Sequence, residues 1–183
     1  MIALYIVLGI LGLFLIFHFS MLYAVYKKLL CRVEPDKIKK RFDNNEKYDL
    51  YRNELHNDEL EFVDNFIEVY ITSYDGLKLV GSYYDYGYKN LVIFFHGAHS
   101  IALNNFASIA KDIKKHDYNI LMIDERAHGR SEGKHLTYGA REYKDVLSWV
   151  DYVDKNYDFE NIFLYGMSMG GTAVAISSDQ ISS

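Results

Sequence analysis

The residues best suited to chemistry lie near the end of the 183-residue chain, where residues 165–171 read Tyr-Gly-Met-Ser-Met-Gly-Gly. An apolar stretch precedes this run and small residues follow it, so the pattern predicts a strand, a sharp turn and a helix, with Ser168 at the apex. Gly166 and Gly170 suit such a turn because a side chain at either position would collide with the neighbouring strand or helix. The pattern therefore predicts that Ser168 is a nucleophile.

Four histidines follow predicted strands and are candidates for the base that a serine nucleophile needs. His96 and His99 come after one apolar run, and His128 and His135 come after the next. One hypothesis is that a histidine among them replaces the usual base. The other, which we favour, is that His96 and His128 brace loops while His99 and His135 are solvated.

Two patterns in the same region resemble a metal site and a cofactor site, but each lacks a required part. His96 and His99 have metal-ligand spacing, but they lack the glutamate and the helix of an H-E-x-x-H site. The run from Gly166 to Gly171 lacks the second glycine of the dinucleotide-binding G-x-G-x-x-G pattern. We therefore predict no metal and no cofactor.

The residues after Ser168 do not provide a base. Asp179 is the only acidic residue there, and no histidine follows. A serine hydroxyl without a base is a poor nucleophile at neutral pH. We therefore expect little activity from this chain by itself.

Alternating strand and helix patterns surround these candidate residues. Residues 67–72 and 78–84 flank Asp75-Gly76, which predicts a β-hairpin. Apolar runs at 91–95, 119–124 and 161–165 read as buried parallel strands, and residues 101–115 and 139–156 have helical spacing. The predicted fold is α/β: a hairpin and then parallel strands with flanking helices. In such sheets ligands gather at the carboxyl ends of the strands, which here carry His96, the segment after Asp124, and Ser168.

The first 26 residues contain no Asp, Glu, Lys or Arg. Roughly 24 helical residues reach about 36 Å, enough to cross a hydrocarbon core of about 30 Å. We interpret residues 1–26 as a single-pass membrane anchor. A cleaved signal peptide is the alternative, but it would need a basic start and a small-residue cleavage site, and residues 29–32 do not provide one. Basic residues after the helix predict that the following domain is cytoplasmic; they are Lys27, Lys28, Arg32, Lys37, Lys39, Lys40 and Arg41.

Residues 27–65 are charged with scattered apolar positions, and we interpret them as a juxtamembrane spacer with short helices. Residues 66–183 then form the α/β domain, which we expect to be incomplete. Cys31 excludes an internal disulfide because it is the only cysteine; we interpret it as a plain thiol, with acylation as the alternative. The net charge of −5 argues against a nucleic-acid partner.

Three segments together resemble the α/β-hydrolases, in the order and spacing of that family. They are residues 96–98 (His-Gly-Ala), 124–133 (Asp-Glu-Arg-Ala-His-Gly-Arg-Ser-Glu-Gly) and 166–170 (Gly-Met-Ser-Met-Gly). Ala127 stands where the family usually has glycine. The resemblance covers roughly residues 67–178, and it is strongest to bacterial membrane-anchored, esterase-like serine hydrolases.

The resemblance implies roles for individual residues. Ser168 matches the nucleophile, and the backbone N–H groups of Ala98 and Met169 match the two donors of the oxyanion hole. The implied activity is hydrolysis of a small ester, thioester or related acyl substrate. In the family the acid and the histidine follow later strands, so we expect that this chain is the N-terminal part of a longer hydrolase and is inactive alone. The alternative is a non-catalytic, membrane-tethered interaction module, or a degenerate gene product, whose open edge at residues 161–165 binds a partner strand.

Overall fold

A computed structural model describes residues 1–33 and 57–181, in two compact units divided between Cys31 and Arg32. The first unit is helix α1, Ile2–Leu30. By length and composition α1 is suited to crossing a membrane, although a signal sequence near an N-terminus passes the same test. The helix continues beyond Tyr26, where the predicted anchor ends. The predicted spacer helices and basic residues within 34–56 lie outside the described residues.

The second unit contains a mixed five-stranded sheet with helices on both faces. Its strands are β1 (Ile67–Thr72), β2 (Lys78–Tyr84), β3 (Asn90–Phe95), β4 (Tyr118–Asp124) and β5 (Asn161–Gly166). Its helices are α2 (Ala102–Lys114), α3 (Glu142–Asn156) and α4 (Met169–Ser177), followed by a 3₁₀ turn at Ser178–Gln180. Residues 57–63 are also helical. The predicted elements are therefore confirmed, with ends that shift by up to three residues.

The strand order is β1-β2-β4-β3-β5. The hairpin strand β2 pairs antiparallel with β4, while β3 pairs parallel with both β4 and β5. This arrangement confirms a hairpin followed by parallel strands. It also brings the carboxyl ends of β3, β4 and β5 to one edge of the sheet. The three segments that resemble the α/β-hydrolases begin at this edge.

Each face of the sheet has its own apolar layer, because successive strand side chains point to opposite faces. Leu121 and Ile123 face helices α3 and α4, and Trp149 is fully buried in that layer. Ile120 and Met122 face helix α2 on the other side. Segment 57–63 covers this second layer, because its Phe62, which the sequence analysis assigned to the spacer, is 1% exposed there.

Within the described residues, β5 pairs only with β3. Phe163 and Tyr165 on this strand are 49% and 43% exposed, in contrast to the buried residues of β3 and β4. The expectation of an exposed apolar strand at residues 161–165 therefore agrees with the described part of the chain.

Candidate active site

Ser168 occupies the turn between strand β5 and helix α4. Its backbone has φ +51° and ψ −113°, in a region that side-chain-bearing residues rarely adopt. Holding a non-glycine residue there costs on the order of 1–3 kcal/mol, so the surrounding packing must impose it. The residue is solvent-exposed, and its carbonyl oxygen accepts the N–H of Thr172 at 2.9 Å as helix α4 begins.

The turn fits only because two positions near Ser168 lack side chains. A Cβ atom on Gly166 would lie 2.5 Å from the carbonyl oxygen of Gly170, and a Cβ on Gly170 would overlap the carbonyl oxygen of Phe95. The N–H of Met167 donates to that same Phe95 oxygen at 3.0 Å. The turn is thus packed directly against the end of β3, which requires glycine at position 170, while glycine at position 166 lets helix α4 begin directly against the end of β5.

The turn after β3 lies beside Ser168. A Cβ atom on Gly97 would be 3.5 Å from the Cβ of Ser168, and the N–H of Gly97 donates to Asn105 Oδ1 at 3.0 Å. In the part of the chain that the structure describes, the N–H groups of Ala98 and Met169 have no hydrogen-bond partner. Gly97 and Ser168 are thus neighbours, and each predicted oxyanion donor follows one of them in the chain. The N–H of Ala98 follows Gly97, and the N–H of Met169 follows Ser168.

His96 is fully buried and joins this turn to the loop after β4. Its Nε2 accepts the N–H of Glu125 at 3.1 Å, and its Nδ1 donates to the carbonyl oxygen of Gly97 at 2.7 Å. These partners require the neutral tautomer with its proton on Nδ1. Burial lowers the pKa of His96 to about 4. Because both ring nitrogens are occupied, His96 is a brace and is not placed to accept a proton from Ser168.

His128 lies in the loop after β4 and is hydrogen-bonded to the turn after β3. Its Nε2 accepts the N–H of His99 at 2.9 Å, and its Nδ1 donates to the carbonyl oxygen of Arg126 at 2.8 Å. Burial lowers the pKa of His128 to about 3, and the neighbouring His96 adds to the shift. The two imidazoles meet edge to face with centroids 4.9 Å apart. The prediction that His96 and His128 brace loops agrees with these contacts.

The prediction that His99 is solvated is wrong. Both ring nitrogens of His99 are buried, and its ring lies 6.2 Å from that of His128. The cause is backbone geometry, because His99 has φ +56° and this left-handed turn directs the ring inward. His135 is exposed, as predicted.

Sequence reasoning missed Glu125, whose carboxyl group is buried next to the turn at Ser168. A Cβ on Gly170 would lie 2.7 Å from Glu125 Oε1. Neither carboxyl oxygen has a hydrogen-bond partner among residues 1–33 and 57–181. Burial raises the pKa of Glu125 well above its usual value, and nearby Glu142 and Asp145 raise it further. The sequence signal was a charged residue immediately after a buried strand.

Sequence reasoning also missed the network around Arg126, which is 2% exposed. Its guanidinium donates to both carboxylate oxygens of Asp145, at 2.5 and 2.7 Å, and to both of Asp75, at 3.0 and 3.1 Å. The hydrogen bonds from Arg126 lower the pKa of Asp75 to about 2, whereas burial raises that of Asp145. The network ties the loop after β4 to the β1–β2 turn and to helix α3.

Taken together, the carboxyl ends of β3, β4 and β5 hold an exposed serine beside two available backbone donors. Helix α4 begins at Met169, so its positive end adds to the field at the same place. This arrangement suits attack on a carbonyl carbon, with stabilisation of the negative charge that develops on its oxygen. Both ring nitrogens of His96 and of His128 are already hydrogen-bonded, so neither of these two histidines is placed to act as the base.

Comparison with known proteins agrees with this geometry. The family model described as serine aminopeptidase, S33, matches residues 87–180. An esterase structure from Pyrococcus furiosus is 32% identical and superposes with a TM-score of 0.58, over 63% of this chain and 48% of the esterase.

Curated relatives match a similar region. The monoglyceride lipase of Mus musculus is 34% identical over 85 residues, which is 45% of this chain and 28% of the lipase. The multifunctional-autoprocessing repeats-in-toxin protein of Vibrio cholerae is 32% identical over 87 residues, 2% of its length. The chain thus spans less than a third of the curated relatives that it matches.

Proposed function

Because the chain belongs to the serine aminopeptidase S33 family of α/β-hydrolases, we propose that it carries the nucleophile of a hydrolase for carboxylic esters, thioesters or related acyl groups. Its fold is of the esterase and lipase type. The observation that carries the proposal is the backbone of Ser168, held at φ +51° between β5 and α4 by glycines that admit no side chain. Similarity to an esterase and to a monoglyceride lipase supports an ester substrate over an amide.

The proposed reaction uses the groups at this edge of the sheet. Ser168 Oγ attacks the carbonyl carbon of the acyl substrate while a base removes its proton. The carbonyl oxygen becomes an oxyanion that accepts hydrogen bonds from the N–H groups of Ala98 and Met169, each worth about 3 kcal/mol in the transition state. The alcohol or thiol then leaves with a proton, and water hydrolyses the acyl-serine by the same route.

We propose that the base is a histidine, paired with an acid, that the full-length protein supplies from beyond the described residues. The tautomers of His96 and His128 support this, because each Nε2 already accepts a backbone N–H. After Ser168 the chain has Asp179 and no histidine. The 183-residue chain alone is accordingly proposed to be inactive.

We also propose that α1 anchors the protein in a lipid bilayer as a single-pass helix, with the hydrolase domain on the cytoplasmic side. Its length and apolar composition support an anchor, and Lys27, Lys28 and Arg32 after its apolar part support the orientation. Carbonate extraction should leave the protein in the membrane fraction. Protease added to sealed vesicles of known orientation should cleave the domain only when the cytoplasmic face is outside, and cleavage from the opposite face would reverse the orientation.

A second candidate function is a non-catalytic module that binds a partner strand. Strand β5 supports it, because Phe163 and Tyr165 leave an apolar strand exposed within the described residues. The size of the native protein separates the two candidates. A longer reading frame with a histidine after a later strand favours the enzyme, whereas a native mass near 21.3 kDa favours the module.

A fluorophosphonate probe tests the proposed enzyme directly. The full-length protein should be labelled, and Ser168→Ala should abolish labelling. Ser178→Ala, which removes an exposed hydroxyl after the same helix, is the matched control and should label normally. An unlabelled full-length protein, or equal labelling of Ser168→Ala, would contradict the proposal. Strong Ser168-dependent labelling of the 183-residue chain would contradict the proposal that this chain lacks a base.

A further inference from the structure

The N–H of Ala98 belongs to the peptide plane that also contains the carbonyl group of Gly97. In a trans peptide these two groups point in opposite directions. The Gly97 oxygen accepts the Nδ1 proton of His96 at 2.7 Å, inside the protein. The Ala98 N–H is therefore directed away from the buried imidazole, on the side where it has no partner among the described residues.

The peptide plane on the other side of Ala98 is held by a second imidazole. This plane contains the N–H of His99, which donates to His128 Nε2 at 2.9 Å. His99 has φ +56°, a conformation that a residue with a side chain adopts only where its surroundings impose it. The hydrogen bond to His128 opposes relaxation of this turn.

We propose that His96 and His128 act together as positioning residues, which clamp both peptide planes of Ala98 and so aim its N–H at the oxyanion. The inference rests on the proposed function and extends it, because it gives a role in the reaction to two residues that do not touch the substrate. Each imidazole is fixed in the neutral Nδ1–H tautomer by a carbonyl oxygen of its own segment. Each Nε2 then accepts an N–H from the opposite segment.

The clamp depends on neutral imidazoles. A protonated Nε2 would become a donor and would face a backbone N–H, so the connection would break. Burial keeps both imidazoles neutral to below about pH 5, since it lowers the pKa of His96 to about 4 and that of His128 to about 3. The titratable and charged groups facing the pair are His99 from the same turn, Glu125 and Arg126 from the loop after β4, and Glu142 from α3.

Substitutions at His128 in the full-length protein test the clamp by the rate of fluorophosphonate labelling and by ester hydrolysis. His128→Ala should lower kcat about 10- to 100-fold with little change in KM, because the oxyanion forms only in the transition state. His128→Gln places an acceptor near the position of Nε2 and should recover most of that loss. His135→Ala, an exposed histidine of the same loop, is the control and should leave kcat unchanged.

A second measurement separates clamping from general acid–base chemistry. Nitrogen-15 spectra should show both imidazoles as neutral Nδ1–H tautomers at pH 5, where an exposed histidine is protonated. A ring that titrates near pH 6.5 would overturn the clamp. So would wild-type kcat in a folded His128→Ala protein.

If His128→Ala does not fold, the comparison of His128→Gln with His128→Asn decides the matter. The shorter Asn cannot reach the N–H of His99, so its kcat should be the lower of the two. Equal kcat values would overturn the inference. An unlabelled wild-type protein would instead overturn the proposed function, while the nitrogen spectra would still report on the clamp.

Discussion

The turn at Ser168 and the loop after β4 are both positioned by contacts with distant elements, but the two sets of contacts are of opposite kinds. The turn is positioned by missing side chains, because Gly170 lets its backbone touch the end of β3 and Gly166 lets helix α4 begin against β5. The loop is positioned by charge, because Arg126 holds two carboxylates from other elements while buried. The first region is therefore expected to lose stability when an atom is added, and the second when a charge is removed.

The largest loss of stability is expected from a methyl group added in the turn at Ser168. In Gly170→Ala the new Cβ would overlap the Phe95 oxygen, and a backbone group cannot move aside as a side chain can. We expect a loss of about 4 kcal/mol or more in the free energy of unfolding, at the upper end of single substitutions. Urea denaturation checks this.

Gly171→Ala is the graded control for that substitution, since its nearest atom would be Gly166 O at 3.0 Å. It should cost distinctly less than Gly170→Ala. Alanine has a higher helix propensity than glycine, so propensity cannot cause a loss of stability at either position. Similar losses for the two variants would contradict the close approach to β3 as the reason for Gly170.

The next largest loss of stability is expected from a substitution in the loop after β4. Arg126→Met removes the partner of two carboxylates and leaves Asp145 buried without its counter-charge. We expect a loss of about 3 kcal/mol, because breaking a buried pair costs more than the pair contributes. The exposed pair of Lys155 and Asp151 is the control, and Lys155→Ala should cost less than about 0.5 kcal/mol. Comparable losses from both would remove the contrast between the two regions.

A smaller effect is expected in the pH dependence of the free energy of unfolding, to which the two histidines and Glu125 contribute with opposite signs. His96 and His128 have lowered pKa values in the folded protein, so the unfolded state binds two more protons once the pH falls below about 6.5. The stability that they contribute is therefore lost as the pH falls from about 6.5 towards about 4. The raised pKa of Glu125 acts in the opposite direction, so its contribution to stability rises as the pH falls towards about 4.5.

Two histidines outweigh one carboxyl group, so the three groups together should lower the free energy of unfolding as the pH falls from about 6.5 to about 4.5. Glu125→Gln removes the opposing contribution, so the fall should become steeper. Above pH 6.5 the variant should lose less stability than the wild type as the pH rises. Parallel curves for the two proteins from pH 4.5 to 8 would show that Glu125 is not kept protonated by folding.

The smallest effect is expected at Ala127, where alanine stands at φ +60°. Ala127→Gly relieves backbone strain of about 1 kcal/mol, but it loses a buried methyl group and gives the unfolded chain more freedom. The terms nearly cancel, so we expect a change within about 0.5 kcal/mol by urea denaturation. A large loss would show that the methyl group, and not the backbone, positions the charged loop.

Local patterns in the sequence predicted the elements and the position of Ser168 well, because these depend on neighbouring residues. Apolar runs predicted β3, β4 and β5, Asp75-Gly76 predicted the hairpin, and glycines on either side of Ser168 predicted the turn. The strand order was not predictable in the same way. It depends on which distant strands bury each other, and residues 78–84 contain no signal that they pair with β4.

The sequence by itself determined the family, the fold class and the serine at the apex of the turn, since all three follow from short motifs in a set order. Only the tertiary structure decided what the other polar residues do. The inward ring of His99, the Nε2 hydrogen bonds of His96 and His128 and the buried carboxyl group of Glu125 all involve partners between 29 and 45 positions away in the chain. A side chain's charge and tautomer are set by burial and by the donors and acceptors around it, and these exist only when the chain is folded.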